Sequence, residues 1–247
     1  MISVVIITKN EEENIERCLK SVVWADEIII LDSGSTDNTI DICRKFNCKV
    51  VESEWLGFGK TKNLAVSKSR NNWILSIDAD EEVSNDLKKS LEGFTYQKKY
   101  YAYRVKRKSF YLNKLINYSG WQNDCPIRFF NKKYANFNSL EVHESVITDD
   151  KRISFIDGHL LHFPYPSIEQ HIKKINLYSQ LGSKKLLQDN KKVYLLSSVF
   201  SGIFKFIKMY FLKLGFLDGK EGFVLCLISS FGVSLKYFKL WSFLRKK

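Results

Sequence analysis

The sequence predicts an α/β protein whose mostly parallel sheet is covered by helices, followed by an amphipathic helical extension. Three observations predict it. Short β-branched runs alternate with segments of helical apolar spacing up to residue 78, and each of three such runs ends in a polar cluster. From Ser167 onward the apolar spacing turns helical. The 247 residues, 45% of them hydrophobic, suit one large core with an appendage better than two equal domains.

The elements follow in order. Residues 2–7 are a β-branched apolar run closing on Thr8, Lys9, Asn10 and Glu11, and residues 14–23 carry Ile15, Leu19 and Val22 at helical spacing. Residues 27–31 form a second strand. It closes on Asp32-Ser33-Gly34-Ser35-Thr36-Asp37, where Asp37 or Thr36 is placed to cap a helix over 38–46. A third strand covers 49–52, a third helix 60–69, and a fourth strand 73–77 runs into Asp78-Ala79-Asp80. Strands separated by helices pair in parallel. Residues 100–108 read as an antiparallel strand, with further short strands at 128–130 and 153–156. The expected organisation is one α/β domain over 1–165, divided into halves 1–95 and 96–165, and a helical extension over 166–247.

Charge is uneven along this plan. Residues 1–95 hold 12 Lys/Arg against 17 Asp/Glu, a balance of −5, and the rest hold 27 against 10, a balance of +17. The apolar runs 193–204 and 222–235 are each shorter than the ~20 residues that span a bilayer, so neither is expected to cross one. If residues 200–214 are helical, Lys205, Lys208 and Lys213 share one arc and Ile203, Phe204, Ile207, Phe211 and Leu214 share another. A basic amphipathic helix of this kind lies on an anionic membrane surface, and Lys236, Lys239 and Arg245-Lys246-Lys247 add to its charge. Packing on the domain with solvated lysines is the alternative. Five cysteines without a Cys-x-x-Cys pair imply free thiols and a reducing compartment. The N-terminal run lacks a basic leader, so the expected location is cytoplasmic, at the inner face of the cell membrane.

In open α/β sheets ligands bind beyond the carboxyl ends of the strands. The clusters from Thr8 to Glu11, Asp32 to Asp37 and Asp78 to Glu82 all stand there. Close carboxylates repel unless a cation neutralises them, which makes Asp78 and Asp80 a candidate hard-metal site. A nucleotide-sugar accounts for all three loops. Asp80 supplies a metal ligand with Asp78 close by, Asp32 accepts from a base imide or a ribose hydroxyl, and Lys60 and Lys62 meet phosphate charge. For either lysine the alternative is a plain surface cation. Gly59-Lys60-Thr61 imitates a P-loop, but Glu54 stands where that motif needs glycine. His143, His159, His162 and His171 show no zinc spacing; His162 is read either as completing a metal shell or as a hydrogen-bonded core histidine.

The series Val5-Ile6-Ile7-Thr8-Lys9-Asn10-Glu11, Ile30-Leu31-Asp32-Ser33-Gly34-Ser35-Thr36-Asp37, Lys62-Asn63-Leu64-Ala65 and Ile77-Asp78-Ala79-Asp80-Glu81 resembles the family 2 glycosyltransferases of GT-A fold. Trp121, Arg128-Phe129-Phe130, Val142-His143-Glu144 and His159-Leu160-Leu161-His162 resemble the acceptor half of bacterial members. The segment Gly215-Phe216-Leu217-Asp218-Gly219-Lys220-Glu221-Gly222-Phe223 is similar to that of enzymes adding β-linked glucose to the lipopolysaccharide inner core.

The resemblance implies inverting transfer from a nucleoside diphosphate sugar, UDP-glucose foremost, to a lipopolysaccharide core or other lipid-linked glycan. It implies Asp32 on the base, Mg2+ or Mn2+ on Asp80, and Asp78 on the nucleotide or sugar. Thr8, Asn10, Glu11, Ser35, Asp37, Asn63 and Ala79 complete the donor-binding set. Inversion needs a carboxylate base for the acceptor hydroxyl. Glu144 is the first choice, Asp124 the second and Glu81 the third. Arg128 pairs with a phosphate or with a carboxylate. Two other readings compete. A sugar nucleotidyltransferase would show a glycine-rich loop after the first strand, and Thr8 to Glu11 has no glycine. A nucleic-acid-binding module would use Arg104, Lys106, Arg107 and Lys108 among aromatics, yet leaves the acidic loops unexplained. No nucleic-acid partner is expected.

Overall fold

The computed structural model describes residues 1–139 and 144–245. Val142 and His143, and Lys246 and Lys247, lie outside the described residues. In chain order the elements are β1 (Ile2–Thr8), α1 (Ile15–Lys20), β2 (Glu27–Asp32), α2 (Thr39–Lys45), β3 (Lys49–Glu52), α3 (Phe58–Ser67), β4 (Trp73–Asp78), β5 (Glu81–Val83) and α4 (Asn85–Glu92). Then come β6 (Ala102–Tyr111), β7 (Lys114–Leu115), β8 (Ile127–Asn131), β9 (Asn136–Phe137), β10 (Val146–Ile147), β11 (Ile153–Tyr165), α5 (Ile168–Gln188), α6 (Leu195–Ile207) and α7 (Gly219–Arg245).

The α/β architecture expected from the sequence is present. The main sheet runs β3-β2-β1-β4-β8-β6-β11-β5, with β7 paired to β6. Its first four strands are parallel and β8 joins β4 antiparallel. Alternate residues of β1 supply opposite faces. Val4 and Ile6 join Ile30, Leu75 and Ile77 in one cluster, and Val5 joins Ile29, Leu31 and Ile74 in the other. A strand covered on both faces reads as a continuous apolar run, which is why β1, β2 and β4 were legible. The register has a functional consequence: Thr8 lies opposite Asp32 and Ile7 opposite Asp78, so three strand ends share one edge.

Some elements differ from expectation. The strand expected over 153–156 extends to thirteen residues, and β5 and α4 were not foreseen. α4 turns only Leu87 and Leu91 inward, and Ser84 caps it by accepting the Leu87 N–H. Gly158, at φ +104°, lies so close beneath α4 that a Cβ there would stand 2.2 Å from the Leu87 nitrogen. The antiparallel β5–β11 pair sets His162 opposite Glu81. At α2 the N-cap is Asn38 without a side-chain cap bond, and Asp37 accepts the Thr39 N–H instead. All five cysteines are free.

The chain forms two compact units, Met1–Arg107 with Asn123–His162, and Lys108–Gln122 with the residues from Phe163 onward. The second unit thus takes in 108–122, which the sequence reading put in the acceptor half. The cause is Asp218, 3% exposed, whose carboxylate accepts the N–H of Asn117 and Tyr118 and the Ser119 hydroxyl. The core of this unit is Tyr111, Ile116, Met209, Leu225 and Cys226. His171 packs there, 3.0 Å from the Tyr111 hydroxyl and stacked on Tyr165; burial, with Lys174 nearby, pushes its pKa down to about 4, so it is neutral at physiological pH.

The helices run longer than the apolar runs. The apolar runs do not end at their lysines: Leu195–Leu212 and Gly215–Arg245 are helical over 18 and 31 residues, and by length and composition both suffice to cross a membrane. The sequence reading measured the uncharged runs, whereas helical backbone continues through the flanking charges.

Candidate active site

Two carboxylate-bearing elements converge in the first unit, the end of β4 and the start of β5. Asp78 closes β4, and its Oδ1 lies 2.9 Å from Lys62 Nζ while its Oδ2 accepts from Arg128 Nη2 at 2.7 Å. Burial alone would raise the Asp78 pKa; Arg128 and Lys62 outweigh it and hold the carboxyl well below the ordinary range. Two protein cations thus meet Asp78, one member of the acidic pair. Lysine and arginine neutralise Asp78.

Lys62 comes from α3 and is 2% exposed. Besides Asp78 it donates to Glu144 Oε1 at 2.7 Å, and its ammonium lies 5.4 Å from the Phe137 ring centroid. Its neighbour Asn63 clamps the Phe137 backbone through both amide atoms, donating to the carbonyl and accepting from the N–H. Asn63, expected in the donor-binding set, thus also fixes the Phe137 backbone. Lys60 is exposed in the first turn of α3, and Ala79 is buried at 4%.

Glu81, the third choice for a base, is fully buried and organises the cluster. It accepts the Asp78 N–H through Oε2 and takes Arg107 Nη1 and Arg128 Nη2 on Oε1, each at 2.9 Å. Arg107 also forks onto Asp124 Oδ2 through Nε and Nη2. For both arginines burial opposes the charge, but the carboxylates outweigh it and their pKa values lie above the ordinary one. Of the two partners expected for Arg128, the carboxylates Asp78 and Glu81 both meet its Nη2. Arg107 was missed as a site residue. Its signal was present in β6, where Tyr103, Val105, Arg107, Ser109 and Tyr111 alternate inward, but it was read as part of a basic cluster. Within that cluster Arg107 is engaged by Glu81 and Asp124, Arg104 donates to the Cys125 carbonyl, and Lys106 and Lys108 are exposed.

The loops after β1 and β2 are stitched together. The Asn10 N–H donates to the Ser35 hydroxyl, Asn10 Oδ1 accepts the Thr36 N–H, the Glu11 N–H donates to Thr39 Oγ1, and Asp37 accepts the Glu12 N–H. Asp32, 2% exposed, accepts the Gly34 and Ser35 N–H groups and the Ser35 hydroxyl, so its carboxylate shapes its own loop as well as standing at the strand end. Among the described residues, Thr8 Oγ1, Ser33 Oγ and Arg128 Nε are buried without a hydrogen-bond partner. Thr8 and Ser33 flank Asp32, and Arg128 flanks Asp78. Each orphaned group costs about 1–3 kcal/mol unless a ligand or water meets it.

The expected metal ligands are neighbours: His162 Nε2 lies 3.6 Å from Asp80 Oδ2. No group of three or more His, Cys, Asp or Glu suited to a metal exists among the described residues. A hard cation that keeps water and phosphate oxygens in most of its shell suits so sparse a set, so Asp80 with His162 fits a Mg2+- or Mn2+-type ion better than a fully protein-ligated one.

Residues 3–136 match the family model described as glycosyl transferase family 2. An uncharacterized glycosyltransferase of Rickettsia typhi is 36% identical over 97% of this chain and 86% of its own length. The lipopolysaccharide core biosynthesis glycosyltransferase LpsC of Rhizobium meliloti is 25% identical over 90% of this chain and 85% of its own. Among solved structures, S. aureus TarS in complex with UDP-GlcNAc superimposes with a TM-score of 0.51 at 16% identity, covering 94% of this chain and 81% of TarS. That likeness supports the fold.

Proposed function

Since the chain belongs to glycosyl transferase family 2, we propose that it moves a sugar with inversion from a nucleoside diphosphate sugar to a lipid-linked glycan at an anionic membrane surface. The observation that carries this reading is the shared strand edge: unpartnered buried polar atoms beside Asp32 and Asp78, together with Lys62 and Glu144, form one polar cluster. The name of the Rhizobium meliloti relative favours a lipopolysaccharide core acceptor. UDP rests on the family resemblance, and glucose on that of the segment from Gly215 to Phe223.

In the proposed reaction Glu144 takes the proton of the acceptor hydroxyl as that oxygen attacks the anomeric carbon from the face opposite the diphosphate. The bond from the anomeric carbon to the diphosphate oxygen breaks and the diphosphate leaves with the electron pair. Lys62 bridges Asp78 and Glu144, and a donor phosphate competes for it. That competition frees a Glu144 lone pair for the acceptor once donor is in place. Asp80 and His162 are the proposed metal holders, and a bound divalent ion supplies charge to the departing diphosphate. Asp124 is the weaker base, because the Arg107 guanidinium already forks onto its Oδ2.

Glu144→Gln is nearly isosteric and is expected to cut transfer by about 100-fold or more with donor affinity kept. Single-turnover transfer and donor titration measure the two quantities. Transfer equal to wild type would move the base to Asp124.

A further inference from the structure

Helix α6 turns small residues inward and large apolar ones outward, and α7 does so along part of its length. α6 buries Ser198 and Gly202, while Leu196, Phe200, Ile203, Ile207 and Phe211, repeating every three or four residues along α6 and the turn after it, are exposed. Leu196 is 72% exposed and Phe200 65%. On α7 the buried residues are Gly222, Ser230 and Ser234 beside Leu225, Cys226 and Leu240, and Phe223, Leu227 and Phe231 stand exposed at four-residue intervals.

The two helices meet through their small residues. A Cβ on Gly202 would stand 2.1 Å from Ser234 Oγ and 3.1 Å from the Ser230 carbonyl, so the approach requires glycine. Phe206 and Tyr210 of the same stretch meet Phe223 near the start of α7, so the pair is an antiparallel hairpin. Small residues between helices and apolar residues outward is the pattern of helices surrounded by lipid, where no water drives apolar side chains inward.

The charges say how deep such a hairpin sits. Within the uncharged runs, the helical residues 195–204 and 222–235 rise about 15 and 21 Å. Both are short of the ~30 Å hydrocarbon core; the first matches one leaflet's half of it and the second exceeds that half. Lys191, Lys192 and Lys205 bound the first run and Lys220 and Lys236 lie at the ends of the second. Lys236 lies 4.6 Å from the Tyr237 ring centroid and Arg245 4.9 Å from that of Trp241, the aromatic and cationic pairing favoured at the membrane–water boundary. Only 17% and 28% of the most apolar windows of these stretches is buried.

We propose that α6 and α7 are seated in one leaflet of a bilayer, their apolar stripes among the acyl chains and their lysines at the level of the lipid phosphates. The inference deepens the membrane placement proposed above and rests on it, replacing attachment by surface charge with insertion into hydrocarbon.

Flotation of the full chain with vesicles separates the two. Phosphatidylcholine vesicles and vesicles that also contain phosphatidylglycerol are compared at low salt and at about 1 M NaCl, where the Debye length is only ~3 Å. Insertion predicts that the protein floats with both vesicle types and stays bound at high salt. The double variant Phe200→Glu, Leu227→Glu, at exposed positions, is expected to lose about tenfold or more of the bound fraction on phosphatidylcholine while keeping its thermal melt and donor turnover. Binding to anionic vesicles alone, released by salt, would overturn insertion and leave the surface reading standing. A dimer, or any other species, that ignores both vesicle types would overturn both.

Discussion

Replacing Arg128 with methionine is expected to lower the stability of the folded chain by about 3–5 kcal/mol, because one guanidinium serves two carboxylates away from water. Arg128 Nη2 lies 2.7 Å from Asp78 Oδ2 and 2.9 Å from Glu81 Oε1, and Glu81 is fully buried. Methionine matches the length of the stem but leaves both acids short of one counter-charge, with Lys62 and Arg107 as their remaining cationic partners. For a chain of this size each kcal/mol shifts the midpoint by about 2–4 °C, so thermal unfolding should move by roughly 10 °C. Arg128→Lys keeps a charge but not the fork and should fall between. A loss within about 1 kcal/mol would mean that the cluster is relaxed by solvent and does not fix the β4 end.

Asp80→Ala separates the metal side of the site from this scaffold. Asp80 stands two residues beyond Asp78 and pairs with His162 at 3.6 Å. Removing its carboxylate is expected to reduce transfer from a nucleoside diphosphate sugar by about 1,000-fold or more, several kcal/mol of charge stabilisation, with the melting transition within about 1 kcal/mol of wild type. The readout is nucleoside diphosphate release with and without Mn2+. If the purified variant released it as fast as wild type, the assignment of Asp80 to the metal would be wrong. A collapse of the melt would instead place Asp80 in the scaffold.

The parts of this molecule that were legible in the sequence share a physical reason. β1, β2 and β4 are covered on both faces and so appear as unbroken apolar runs, and their ends are marked by Thr8, Asp32 and Asp78 because polar loops must follow them. Parallel pairing then brings those ends to one edge without further information. What was not legible depends on long-range pairing. That Glu81 is a buried organiser follows from Arg107 on β6 and Arg128 on β8 reaching it, and 26 and 47 residues separate the partners. The full length of β11 was hidden by its half-buried pattern, although its pairing with β5 is what brings His162 near Asp80. Lys62 looked like a surface phosphate ligand on a helix, and its burial comes from Asp78 and Glu144 closing over it. The outward apolar face of α6 was visible as a periodicity, but only the small residues packed between α6 and α7 give it a direction.

The central claim is that the strand edge at Thr8, Asp32 and Asp78 is a nucleoside diphosphate sugar site. Thermal unfolding of the wild-type chain with UDP-, GDP- and dTDP-sugars, each with Mn2+, tests it most directly. One nucleotide is expected to raise stability by about 2.7 kcal/mol at 100 times its dissociation constant, with the increment reduced when Mn2+ is omitted. A chain whose melt is unmoved by all three donors, with and without the metal, would contradict the claim.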